Sequence, residues 1–97
     1  MASTKDYKDY VLGQLSILND ITVRPMMGEY ILYYRGVVFG GIYDDRFLVK
    51  RVESNKKYNM EEAIPYEKGR SMYLVDDIDN MDTLKEIVLD TYEGLKK

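Results

Sequence analysis

Near the start of the chain, Tyr7, Val11, Leu15 and Leu18 recur at helical spacing, with Tyr10 beside them. This repeat predicts one apolar helical face from about Thr4 to Leu18. Ser3 or Thr4 can cap it, and Ser3 with Asp6 resembles a capping box. Asn19-Asp20 ends it. The pattern then changes to a β-prone one. Ile21 to Met26 reads as a short strand, at an edge or a strand end because it contains Pro25. Met27-Gly28-Glu29 turns into Glu29–Tyr34, Arg35-Gly36 into Val37–Tyr43, and Asp44-Asp45 into Arg46–Val52. Strands joined by such short connections form an antiparallel meander. Gly40-Gly41, inside the third strand, predicts a bulge or a close approach of another backbone or a helix.

Ser54-Asn55 opens a polar segment, and Lys56 to Ile64 reads as a second helix stopped by Pro65. Its basic first turn (Lys56, Lys57) opposes the helix dipole. Tyr66 to Arg70 is a loop turned by Gly69, and Ser71–Val75 is a fifth strand. After the acidic turn Asp76 to Asn80, Leu84, Ile87, Val88, Thr91 and Leu95 make the stripe of a last helix, with Asp82 as its cap and Lys96 and Lys97 at its end. The order α-β-β-β-β-α-β-α predicts a two-layer α+β domain with helices packed on an antiparallel sheet of about five strands.

Alternation makes both faces of the central strands apolar. Ile31 and Tyr33 share one face and Leu32 and Tyr34 the other; Val37, Phe39 and Tyr43 are set against Val38 and Ile42. Helices cover one face. The other is expected to be an interaction surface, with Tyr30, Tyr34, Ile42 and Tyr43 as its contact residues.

Composition narrows the function classes. The 97 residues fit one domain, 45% hydrophobic and 32% charged, a balance of folded rather than disordered chains. There is no cysteine and no histidine. That removes disulfides, thiolate chemistry, the commonest general base and the commonest neutral metal ligand. No apolar leader and no membrane-length apolar run is visible, so a cytoplasmic protein is expected. Fourteen Lys and Arg against seventeen Asp and Glu give a net charge of −3, which disfavours nucleic acid as a partner.

Few residues suggest chemistry. Arg24 beside the Gly28 turn is a candidate site for a carboxylate or phosphate. The plainer account gives Gly28 a positive φ and Arg24 a local acid such as Glu29 or Asp45. Asp44-Asp45 suits a hairpin turn better than paired catalytic carboxylates. The run Asp76, Asp77, Asp79 and Asp82 fails the calcium-loop spacing, because position six from Asp77 is Asp82 rather than glycine. Lys50-Arg51, Lys56-Lys57 and Lys68-Arg70 are the basic clusters. With Tyr58, Tyr66 and Tyr73 they raise single-strand binding as a possibility, against which stands the net acidity. No phosphate loop, dinucleotide fingerprint or nucleophile elbow occurs. No catalytic residue, cofactor or metal is expected.

Arg24-x-Met26-Met27-Gly28-x-Tyr30, followed by Leu32-Tyr33, Gly36, Phe39, Ile42, Asp44-Asp45, Phe47-Leu48 and Lys50, resembles the N-terminal domain of the TfoX family. Pro65-Tyr66, Gly69, Met72 and the acidic turn before a C-terminal helix continue the likeness over nearly the whole chain. Met27 stands where Phe is common, and Glu29 where a second glycine is usual. The resemblance implies a module of a competence-gene regulator, here without that regulator's second domain. It also implies an α+β fold like that of the homodimeric type III secretion chaperones, and no catalytic residues. The expectation is a non-enzymatic regulatory or protein-interaction module, a homodimer or the partner of another protein. The alternatives are a small-ligand or anion-binding protein and a weak nucleic-acid-binding regulator.

Overall fold

A computed structural model describes residues 3–67 and 69–96. Three two-residue turns fold the first half of the chain. Strands β1 (Ile21–Met26), β2 (Glu29–Tyr34) and β3 (Val37–Ile42) match the sequence reading within a residue, and β4 is shorter than expected (Phe47–Val49). The turns at Met27-Gly28, Arg35-Gly36 and Asp44-Asp45 all have positive φ at both central residues. That geometry matches the twist of the strands they join. Asp44-Asp45 is therefore a hairpin turn, closed by paired bonds between the Tyr43 and Arg46 backbones.

Met27 holds a left-handed φ of 51° while 95% exposed, so its side chain gains nothing from the site. Met27→Asn, which tolerates this conformation, should stabilise the protein by about 0.5–1 kcal/mol. Calorimetry would show this as a melting point higher by roughly 2–6 °C. An unchanged or lower melting point would contradict it.

The sheet has six strands in the order β1-β2-β3-β4-β6-β5. The additional strand, β5 (Glu61–Ala63), lies where the sequence predicts a helix over Lys56–Ile64. Residues Glu53–Tyr58 instead form a single 3-10 segment, ended by Asn59 in a left-handed conformation. The basic first turn disfavours an α-helix here, and β5 hydrogen-bonds to β6 (Met72–Val75), which would otherwise be a bare edge. β1 is the other edge, as Pro25 suggests. Arg35 N–H donates to Asp20 C=O, and this phase along the β1–β2 register turns the Pro25 nitrogen away from β2, where a missing N–H costs nothing.

Helix α1 (Lys5–Gln14) is shorter than predicted, and Thr4 alone caps it by accepting from Tyr7 N–H. The Ser3-Asp6 box does not form. Ser3 bonds through both its N–H and its hydroxyl to the Glu29 carboxylate, which also takes the Asp44 N–H. The Glu29 carboxylate thus ties Ser3, just ahead of α1, to two hairpin turns. Helix α2 (Met81–Leu95) is capped by Asn80, not Asp82. Its stripe of Leu84, Ile87, Val88 and Thr91 is buried as predicted.

Both helices pack on one face of the sheet, around Leu32, Phe39, Phe47 and Val49. The register pairs Leu32 with Gly40 but Tyr33 with Val38, so Phe39 is the extra residue of a bulge. The bulge reverses the alternation of β3. Phe39 and Ile42, three apart, both enter the main core, contrary to the face assignment from simple alternation. The fold is two-layer α+β, with six strands and two α-helices among the described residues where about five strands and three helices were expected. No helix among the described residues is long and apolar enough to cross a membrane.

Candidate ligand-binding cleft

The helix-free face of the sheet is only half open. Leu48 and Met72 project onto it and are buried, together with Tyr43, in a second small cluster. Their cover is the loop between β5 and β6, which folds back across the face. The Arg46 guanidinium donates to the carbonyls of Ile64 (3.0 Å) and Pro65 (3.4 Å) and fixes its first part. The Tyr66 ring then leans on Tyr43, with centroids 6.0 Å apart and planes at 55°. Burial, with Tyr66 and Glu29 as lesser causes, raises the Tyr43 hydroxyl above its ordinary pKa, so it stays neutral.

Between this loop and the chain leaving β4 lies a cleft of about 1030 Å³. Val38, Tyr43, Pro65 and Met72 give it apolar walls, and Lys50, Arg51, Lys56 and Arg70 bring four positive charges. Among the described lining residues Glu53 is the one acid. Strand alternation explains part of this. Lys50 follows Leu48 and Arg70 precedes Met72 by two positions, so each falls on the helix-free side.

The basic segment is held from beneath. Asn55 is fully buried, and its amide donates to Lys50 C=O (2.8 Å) and Thr91 Oγ1 (2.9 Å) while accepting from Val52 N–H (3.2 Å). Ser54 Oγ donates to the Asp90 carbonyl of α2. The core side of 50–55 is thereby locked to α2, and its basic side chains are left toward the cleft.

The four cations differ in freedom. Arg51 pairs with Glu62 (3.3 Å), donates to Ser71 Oγ (2.6 Å) and lies over Tyr73. Lys56 pairs with Glu53 (3.0 Å). Lys50 and Arg70 are exposed and have no carboxylate within ion-pair distance among the described residues. Lys57 turns away to Asp90, and Lys68 lies outside the described residues. Of the tyrosines weighed for base stacking, Tyr58 bonds to Asp90 and Tyr73 is buried, whereas Tyr66 is 56% exposed.

The two sites predicted from sequence fare differently. Tyr30, Tyr34, Ile42 and Tyr43 do not form one exposed surface. Tyr34 and Ile42 are buried on the helix side and Tyr30 packs against that core, while Tyr43 belongs to the opposite face. The bulge and the packing of Tyr34 edge-to-face on Tyr92 of α2 at 5.0 Å account for the error. Arg24 and Gly28 are both exposed but do not converge on the cleft. Arg24 lies over the Tyr33 ring on the open β1–β2 face, and the Gly28 carbonyl accepts from Ser3 N–H. Arg24 forms no ion pair with Glu29 or Asp45 among the described residues; those acids serve Ser3, Thr4 and Asp44. The acidic turn lines a separate shallow hollow with Asp77, Asp79 and Asp82, and no metal-holding group of acidic side chains occurs among the described residues. The signal that could have located the cleft was the set of basic clusters flanking β4 and β6.

No family model matches the chain. A protein described as an uncharacterized 12.7 kDa protein in the trpE 5' region of Spirochaeta aurantia is 30% identical over 80 residues. The match covers 80% of this chain and 70% of that protein.

Proposed function

This chain belongs to the same family as the 12.7 kDa Spirochaeta aurantia protein, and we propose that it is a non-enzymatic binding module whose ligand is a small anion-bearing molecule held in the cleft. One observation carries the reading. A chain of net charge −3 gathers Lys50, Arg51, Lys56 and Arg70 around a single concavity and, among the described residues, pairs only Arg51 and Lys56 with an acid. Gathered like charges repel one another, and an anion with several acceptor oxygens relieves that repulsion. The apolar walls supply the rest of an ordinary ligand site.

A regulatory role is what the TfoX resemblance adds, and the cytoplasmic setting proposed for it rests on the sequence having no visible apolar leader or membrane-length apolar run. Self-association is also implied by it; the half-buried Ile31 and Tyr33 on the open β1–β2 face are the residues left to support it.

Inorganic pyrophosphate is the first probe, at low salt, with thermal unfolding as readout. At ten times its Kd a ligand stabilises by roughly 1.4 kcal/mol, which for a domain of this size raises the melting point by about 6–10 °C. The Lys50→Glu/Arg70→Glu double variant should lose the shift while melting within a few degrees of wild type when unliganded. A wild type indifferent to pyrophosphate, as judged by calorimetric titration as well, would refute the reading.

A further inference from the structure

We propose that the anion is carried on a planar aromatic ring, so that the ligand class is a mononucleotide, with Tyr66 as the stacking residue. The inference rests on the anion-binding reading and adds the nature of the ligand's uncharged half.

Tyr66 is 56% exposed at a cleft whose other aromatic, Tyr43, is buried. An exposed aromatic on a loose loop would mean little, but this one is held. Arg46 fixes the two carbonyls just before it. Gly69 N–H closes the turn onto Tyr66 C=O at 2.9 Å. Gly69 also lies so close that a Cβ there would stand 3.1 Å from the Tyr66 ring and 3.2 Å from Pro65. Tyr43 supports the ring from within. A fixed ring with a wet side is a stacking platform that loses little entropy when a base covers it.

The charges line the same cleft. Lys50 comes from the end of β4, and Arg70 from the approach to β6. Stacking at one part and anion contact at another ask for a ligand of two parts, a ring and a phosphate, and a volume of about 1030 Å³ accommodates both. A longer nucleic acid would need a basic track beyond the cleft. The edge strand β5 instead carries Glu61 and Glu62, both exposed, with Glu62 paired to Arg51 at the cleft margin, and this acidic border opposes one.

Calorimetric titration with ADP, inorganic pyrophosphate and a short single-stranded oligonucleotide tests the assignment on wild type, Tyr66→Ala and Tyr66→Leu. The leucine variant keeps apolar cover over Tyr43 without a π face. ADP should bind wild type about 10-fold tighter than pyrophosphate. Both variants should bring ADP down to the pyrophosphate level and leave pyrophosphate itself unchanged. Equal binding of ADP and pyrophosphate, indifferent to Tyr66, would overturn the nucleotide class and leave the anion reading standing. No binding of either would overturn both. An oligonucleotide binding more tightly than ADP, with a steep salt dependence, would overturn the mononucleotide in favour of a strand.

Discussion

Gly40→Ala should destabilise the protein by roughly 3 kcal/mol, the upper range for forcing an extra carbon into a packed interior. A Cβ at Gly40 would stand 2.2 Å from the Leu48 carbonyl oxygen and 2.9 Å from the Val49 Cα. Both are backbone atoms of a paired neighbouring strand, so no side chain can rotate aside. Gly40 also follows the bulge at Phe39, which sets the phase of the rest of β3. The measurement is urea denaturation, in which the midpoint should fall by about 2 M at a slope near 1.5 kcal/mol/M. Gly36→Ala is the control. Its Cβ meets nothing within 4 Å and its φ is +79°, so it should lose only the left-handed penalty of about 1 kcal/mol. A Gly40→Ala midpoint within 0.5 M of wild type would show that β3 and β4 can separate freely.

Asn55→Ala should cost a comparable amount, about 3 kcal/mol, for a different reason. Asn55 is fully buried and satisfies the Val52 N–H and the Lys50 carbonyl together with Thr91. Alanine strands these groups and leaves a void. Thr91 retains its bond to the Ile87 carbonyl, so the loss falls on segment 50–55. That segment presents Lys50 and Arg51 to the cleft. Amide hydrogen exchange should therefore quicken over residues 50–57 ahead of the central strands, and pyrophosphate affinity should drop with it. Uniform exchange across the sheet would show that Asn55 does not hold this segment separately.

These two positions illustrate how differently parts of the molecule could be read from sequence. The glycine pair in β3 announced a bulge or a close backbone, and both are present. Asn55 announced only a polar segment. Its value comes from Thr91, thirty-six residues later, and nothing local distinguishes it from a solvated asparagine. The basic clusters were visible one by one, but their convergence was not. Lys50 and Arg70 share a cleft because β4 pairs with β6 and the β5–β6 loop folds back over Tyr43. Tyr30, Tyr34 and Ile42, expected on an open face, all turn toward the helices; Tyr30 and Tyr34 share the side of β2 that carries Leu32, which α2 covers through Tyr92. One unopposed residue, Phe39, was enough to move Ile42 to the other side.

What the sequence determined by itself was the set of features governed by neighbours in the chain. The positive-φ turns, the limits of β1 and β2, the apolar stripe of α2 and the edge position of Pro25 all follow from propensities and periods acting over a few residues. The tertiary structure decided the rest. It made Glu61–Ala63 a strand because β6 needed a partner for its backbone groups. It set which side chains of β3 face the helices, through the phase of a single bulge. And it gathered charges distant in the chain around one cleft, because strand order, unlike strand formation, is fixed by pairings that no local stretch of sequence contains.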